Sequence, residues 1–236
     1  MLATVAEQRG PHALKSPDNV EVLHVEKPVS ISSGKAVSEL MLYRLSAVAG
    51  IGSALILLVN AAKRASIIPA SNLTQLLAPF AEVLALGLVV GLFMAFGRRA
   101  GLFGLVAFVL NFVALASLEG VEVVINLVFA KLPLETILEL RSGPLGLMLT
   151  IASMLFLVGS LAFIASMFSG KGLPRIPLVL YAVGVVPIAL RAFVPELALD
   201  LGLVCLAAAI GWLAVWMWTN AHTIGTAAPT SMIAHA

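Results

Sequence analysis

Between about residues 41 and 219, long apolar stretches alternate with short polar breaks, and no strand-like alternation of polar and apolar positions competes with them. Requiring about twenty mostly apolar residues between charges, Pro or Gly gives six spans, at roughly 41–61, 77–97, 102–131, 145–169, 176–194 and 196–219. The pattern predicts an all-α membrane bundle of about six transmembrane helices. Tyr43 and Arg44 open the first span and Lys63-Arg64 close it. Pro79 falls in the first turn of the second, where its missing N–H is not needed, and Arg98-Arg99 end that span. A polar connection carrying Lys131, Glu135, Glu139 and Arg141 leads to Pro144, which opens the fourth. Lys171-Gly-Leu-Pro-Arg175 turns into the fifth, and Pro195 starts the sixth.

The third span stands apart. Leu102–Ala130 is apolar except for Ser117 and four larger polar side chains, Asn111, Glu119, Glu122 and Asn126. With Leu115 filling the gap, their spacing of three or four residues stacks them along one helix face. A helix of this length reaches roughly 45 Å at about 1.5 Å per residue, against roughly 30 Å of hydrocarbon. It is expected to tilt, bend near Gly120 or run into the interface.

Ionisable side chains are expensive inside a bilayer, so they mark candidate sites. Glu82 falls early in the second span, and Arg191 and Asp200 flank Pro195 at similar distances. A tight hairpin there sets Arg191 and Asp200 at similar depth, with Glu196 nearer the surface. Arg191 is expected to pair with a carboxylate, either Asp200 or one of Glu119 and Glu122, because an unpaired charge is costly in a low dielectric. Pro187 is expected to bend the fifth span just below Arg191. At least one of Glu119 and Glu122 then points into the bundle as a candidate proton carrier, unless 119–131 forms a short surface helix. The candidate intramembrane polar site is Asn111, Glu119, Glu122, Glu82, Arg191 and Asp200. Gly87, Gly91 and Ala95 on the second span, and Ala207 and Gly211 on the sixth, are expected to pack helices closely.

Composition agrees with the pattern: 61% of the residues are hydrophobic and 11% charged, with a mean hydropathy of +1.07. The formal charge is +2 and no run of Lys or Arg exceeds two residues, so nucleic acid is not an expected partner. Expected partners are the lipid bilayer and a membrane protein or second copy of the chain. Residues 1–37 lack the apolar core of a signal peptide and read as a retained, polar, unstructured tail, with some strand character at 20–25; 221–236 form a second polar tail. Seven Lys and Arg near span ends on the terminal side face five opposite, which favours both termini in the cytoplasm. Trp212, Trp216 and Trp218 then form an aromatic belt at the cytoplasmic interface.

Several chemistries are disfavoured. His12, His24, His222 and His235 all fall in the tails, so no haem, zinc or Ser–His site is expected within the bundle. Cys205 is the single cysteine and reads as apolar filler. No Lys lies inside a span and Asp occurs only at 18 and 200, which removes retinal Schiff-base and Asp-rich prenyltransferase chemistry. No cofactor or metal is expected.

Tyr-Arg-Leu-Ser-Ala-Val-Ala-Gly at 43–50, Gly-Leu-Pro-Arg at 172–175 and Gly-Trp-Leu-Ala-Val-Trp at 211–216 are features the chain shares with a broad group of bacterial six-span membrane proteins. About residues 40–219 resemble that group, whose function is unassigned. The resemblance implies a bacterial cytoplasmic membrane protein and no site residues. The leading expectation is a non-catalytic accessory or interaction component of the inner membrane. A small proton-coupled transporter or channel-like protein is the alternative, and a metal-independent cyclase or isomerase using carboxylic acids the third.

Overall fold

The computed structural model describes residues 32–169 and 172–226, and every regular element among them is a helix. The expected strand character at 20–25, most of the N-terminal tail and residues 227–236 lie outside this range. Helix α1 is Ser32–Arg64, so helix begins within the stretch read as tail. A short helix α2, Asn72–Leu77, is set by a capping box: the Thr74 N–H donates to Ser71 Oγ at 3.2 Å and the Ser71 N–H to Thr74 Oγ1 at 2.9 Å. The polar residues at 71–74, which solvation of a loop would also explain, are therefore a helix start. Pro79 separates α2 from α3, Phe80–Phe96.

Helix α4, Gly101–Val123, continues through a π-helical turn at Val124–Val128 and a 3-10 turn at Phe129–Lys131. Excess length is thus absorbed by widening beyond residue 123. Gly120 itself sits within regular helix, with open space where a side chain would be. The connection at 131–143 contains an additional helix, α5, Leu134–Ser142, whose Leu134 and Leu138 are exposed. Helices α6, Pro144–Phe168, α7, Arg175–Ala189, and α8, Glu196–Thr226, complete the chain.

Five helical stretches are long and apolar enough to cross a membrane: Glu39–Arg64, Asn72–Phe96, Gly101–Lys131, Pro144–Phe168 and Glu196–Ile224. Helix α7 has only 15 residues, about 22 Å at about 1.5 Å per residue. It ends at Ala189 rather than 194. Pro187 has no N–H to continue the ladder, and Leu190 leaves helical geometry before the chain turns into Pro195.

The long helices and α7 close into a ring. Helix α1 packs between α8 and α3, α3 reaches α4, α4 packs on α6, α6 on α7, and α7 on α8. Helices α1 and α8 run antiparallel, since Arg64 meets Glu196 near one end and Arg44 Nη2 lies 3.2 Å from His222 Nε2 near the other. Outward positions such as Leu45, Leu55, Val106, Val158, Val183 and Val204 are exposed and apolar, as lipid contact requires.

Small residues set the approach of neighbouring helices. A methyl added at Gly87 would lie 3.0 Å from Ala49 Cβ, and one at Gly91 would meet the Ser46 side chain, so both glycines face α1. Gly211 faces Ala54 of α1 at 3.5 Å, Ala207 is fully buried and Ala95 packs on the core's edge. Backbone meets backbone between α7 and α8, where a Cβ on Gly184 would stand 2.7 Å from the Leu206 backbone nitrogen. Trp216 packs on Phe96 at 5.6 Å, while Trp212 and Trp218 are exposed.

Candidate functional site

Where α7 breaks off, the turn toward α8 points Arg191 at α4. Its Nη1 and Nη2 both donate to Glu122 Oε1, at 3.0 and 2.8 Å. The other Glu122 oxygen accepts from Asn126 Nδ2 at 2.8 Å, and that amide also bonds the Glu122 backbone carbonyl at 3.0 Å. Asn126 lies within the π-helical turn, and its Oδ1 accepts from Lys63 Nζ at 2.7 Å. Lys63, Asn126, Glu122 and Arg191 therefore form one hydrogen-bonded chain from α1 through α4 to the α7–α8 turn. Beside it, Arg64 pairs with Glu196 and approaches Asp200, with Nε 3.4 Å from Oδ1. That contact is misaligned for a hydrogen bond, and both atoms are buried without another partner.

This network caps a central cavity of about 70 Å³ lined from all six helices of the ring. The cavity wall is mostly Leu, Ile and Ala, with Ser53, Asn60, Glu82, Tyr181 and the charged cap as its polar members. Glu82 is 8% exposed, and its Oε2 has no hydrogen-bond partner. It lies within electrostatic range of Glu122, Arg191 and Glu119. The Tyr181 hydroxyl interacts with both Ser160 and Glu82. At roughly 10–15 Å³ per water centre, such a space holds a few waters.

A second cavity, of about 360 Å³, opens at the same end between α4, α6 and the α7–α8 turn. Arg64, Arg141 and Arg191 line it together with Glu196, Thr150, Ser153 and apolar side chains that include Leu149, Met154 and Phe193. Arg64, Arg191, Ile125 and Leu199 border both cavities, so the two guanidinium groups stand at the neck between a vestibule and the inner chamber.

Of the six residues singled out in the sequence, Glu82, Glu122 and Arg191 converge on the inner cavity, and Asp200 stands behind Arg64. Arg191 takes Glu122 as its partner, and Asp200 takes Arg64. Asn111 is fully buried between α4 and α6, where Gly159 lets the helices touch; its Oδ1 accepts from Ser160 Oγ at 2.9 Å and its Nδ2 has no partner. It reaches the cavity only through Ser160 and Tyr181. Glu119 turns away into an outer groove with Leu76, Pro79, Phe80, Val83, Val123 and Leu127. The inward face of α4 runs Asn111, Leu115, Leu118, Glu122, and Glu119 lies about 100° around the helix from Leu118.

Lys63 and Arg64 were legible only as charges ending a span, and Tyr181 and Ser160 carried no signal at all. Among the described residues no three His, Cys, Asp or Glu side chains gather as a metal site would require. No protein-family model, curated protein or solved structure matches the chain.

Proposed function

We propose that this protein is a small proton-coupled carrier, with Glu82 as its proton-binding group and the charged cap as the barrier above it. The observation that carries the reading is the Glu82 carboxyl: buried, with one oxygen unpartnered, in a cavity lined from every helix of the ring. Intramembrane carboxylates facing such interior space are the usual proton sites of carriers. A cavity of about 70 Å³ suits a proton and a few waters, and the larger vestibule would take the solute.

In this reading α7 is a sixth, short span, the bilayer thins or the Arg191 turn dips to meet it, and both termini are cytoplasmic in a bacterial inner membrane. The antiparallel pairing of α1 and α8 and the seven-to-five bias of Lys and Arg support that topology. An accessory role draws less support. Gly87, Gly91 and Gly211, the small-residue faces offered to a partner, are occupied within the protomer. A cyclase would need a chamber of roughly 300–1,000 Å³ around its acid, and Asp200 is engaged with Arg64.

The test is proton flux in liposomes containing a trapped pH dye, with a panel of small anions, cations and neutral solutes added outside. The wild-type protein should acidify or alkalinise the lumen with at least one of them, and Glu82→Gln should not. Equal flux in Glu82→Gln, with that variant correctly folded, would sink the reading.

A further inference from the structure

We infer that the vestibule binds an anionic headgroup carried on a short acyl chain, and that the anion takes Arg191 from Glu122, which then takes up one proton. The inference deepens the carrier reading and rests on it for the direction of transport, but the binding step stands on the geometry alone. The vestibule is lined by three guanidinium groups and one carboxylate. Arg141 has no carboxylate within ion-pair distance among the described residues. Guanidinium groups are suited to carboxylate and phosphate oxygens, which they can hold with two parallel bonds. Leu149, Met154, Phe129 and Phe193 supply the apolar wall for a chain, and about 360 Å³ gives it room.

The exchange follows from where Arg191 stands. It borders both cavities, and its bonds to Glu122 run to a single oxygen, so an anion entering the vestibule competes for it directly. Glu122 keeps the Asn126 amide on its other oxygen but loses its cation. The titratable and charged groups around it are Lys63 and Arg64 from α1, Glu82 from α3 and Tyr181 from α7 on the inner cavity, and Arg141 from α5 and Glu196 from α8 on the vestibule; Glu119 points into the outer groove, Asp200 lies against Arg64, and α6 offers only the hydroxyls of Thr150 and Ser153. Lys63 is held by Asn126 and Arg64 by Glu196 and Asp200. One proton, drawn from the buffer through the vestibule onto Glu122, offsets the incoming negative charge, so the net charge of the cap is unchanged.

The experiment is calorimetry on the purified full chain in a non-ionic detergent, titrating octanoate, octanol, octylammonium and dihexanoylphosphatidylglycerol in two buffers of different ionisation enthalpy. Octanoate or the lipid should bind, octanol and octylammonium at least tenfold more weakly, with about one proton taken up per anion. Which of the two anions binds tells a free acid from a lipid headgroup. Glu122→Gln removes the competitor, so it should bind the anion several-fold more tightly with no proton uptake. Arg141→Gln, at the exposed rim, should fold normally and bind several-fold more weakly. Octanol binding as well as octanoate, proton uptake unchanged in Glu122→Gln, or unchanged affinity in Arg141→Gln would each overturn the inference. Anion binding with proton uptake but no flux would leave the inference standing and remove the carrier reading. Proton-coupled flux of a cation would do the reverse.

Discussion

Arg191 reaches back from the turn after α7 and places two of its nitrogens on a single carboxylate oxygen of Glu122, 69 residues earlier in the chain. The carboxylate is nearly enclosed and the guanidinium about a fifth exposed. Removing one partner leaves the other uncompensated, whereas removing both does not. Arg191→Met should therefore destabilise the protein by about 3 kcal/mol, the low end for a buried pair because Arg191 retains some solvent. The double variant Arg191→Met, Glu122→Gln should recover at least half of that. Unfolding midpoints in mixed detergent micelles check both, and a double variant no better than the single would show that the pair is not coupled.

Two glycines should respond oppositely to the same substitution. Gly184→Ala drives a methyl against the Leu206 backbone and the Gly202 carbonyl, neither of which can rotate away. The α7–α8 seam must open, with a loss of about 1–3 kcal/mol. Gly120→Ala adds its methyl to open space within regular helix and should be neutral or stabilising by about 0.5 kcal/mol. Thermal unfolding of the two variants side by side decides it.

Thiol accessibility separates the vestibule from the helix interface. With Cys205→Ala as background, a cysteine in place of Ser153 should react with a membrane-impermeant reagent from one side only, because Ser153 borders the vestibule. In place of Asn111 it should stay protected from both sides, since that position is fully enclosed between α4 and α6. Rapid reaction at 111 would mean that water follows α4 past the Ser160 contact.

Ser160 Oγ donates at 2.9 Å to the buried Asn111 carbonyl oxygen. Ser160→Ala should leave that oxygen unsatisfied and cost about 1–3 kcal/mol. It should also remove a neighbour of the Tyr181 hydroxyl. A stability change below about 0.5 kcal/mol would mean that water replaces the serine. Calorimetric unfolding reads the difference.

The helices were legible because long apolar runs bounded by charge have few alternatives, and Pro144 and Pro195 marked starts that hold to within a residue or two. Register around a helix was harder. Spacing by threes and fours places Glu119 and Glu122 on a common side, yet a difference of one position between Leu118 and Glu119 decides which faces the cavity, and packing makes that choice. The π-helical turn at Val124–Val128 alters the phase again, and no apolar pattern announces it. Lys63 escaped notice because its partner Asn126 lies on a helix brought near only by ring closure. Helix α5 and the cap at Ser71 were hidden for a simpler reason: both are short and polar, and hydropathy does not see them.

The seam between α1 and α8 joins the first described helix to the last, and it carries a consequence for biogenesis. A nascent chain that has released α1 through α7 forms an open crescent in which Arg64 has neither Glu196 nor Asp200, and the inner chamber lacks one wall. Only when α8 inserts, with Ala214 settling against Gly50, does the circle shut and the stranded cation find its acids. Helix α8 is thus the keystone, and a chain truncated before it leaves the Arg64 charge unpaired.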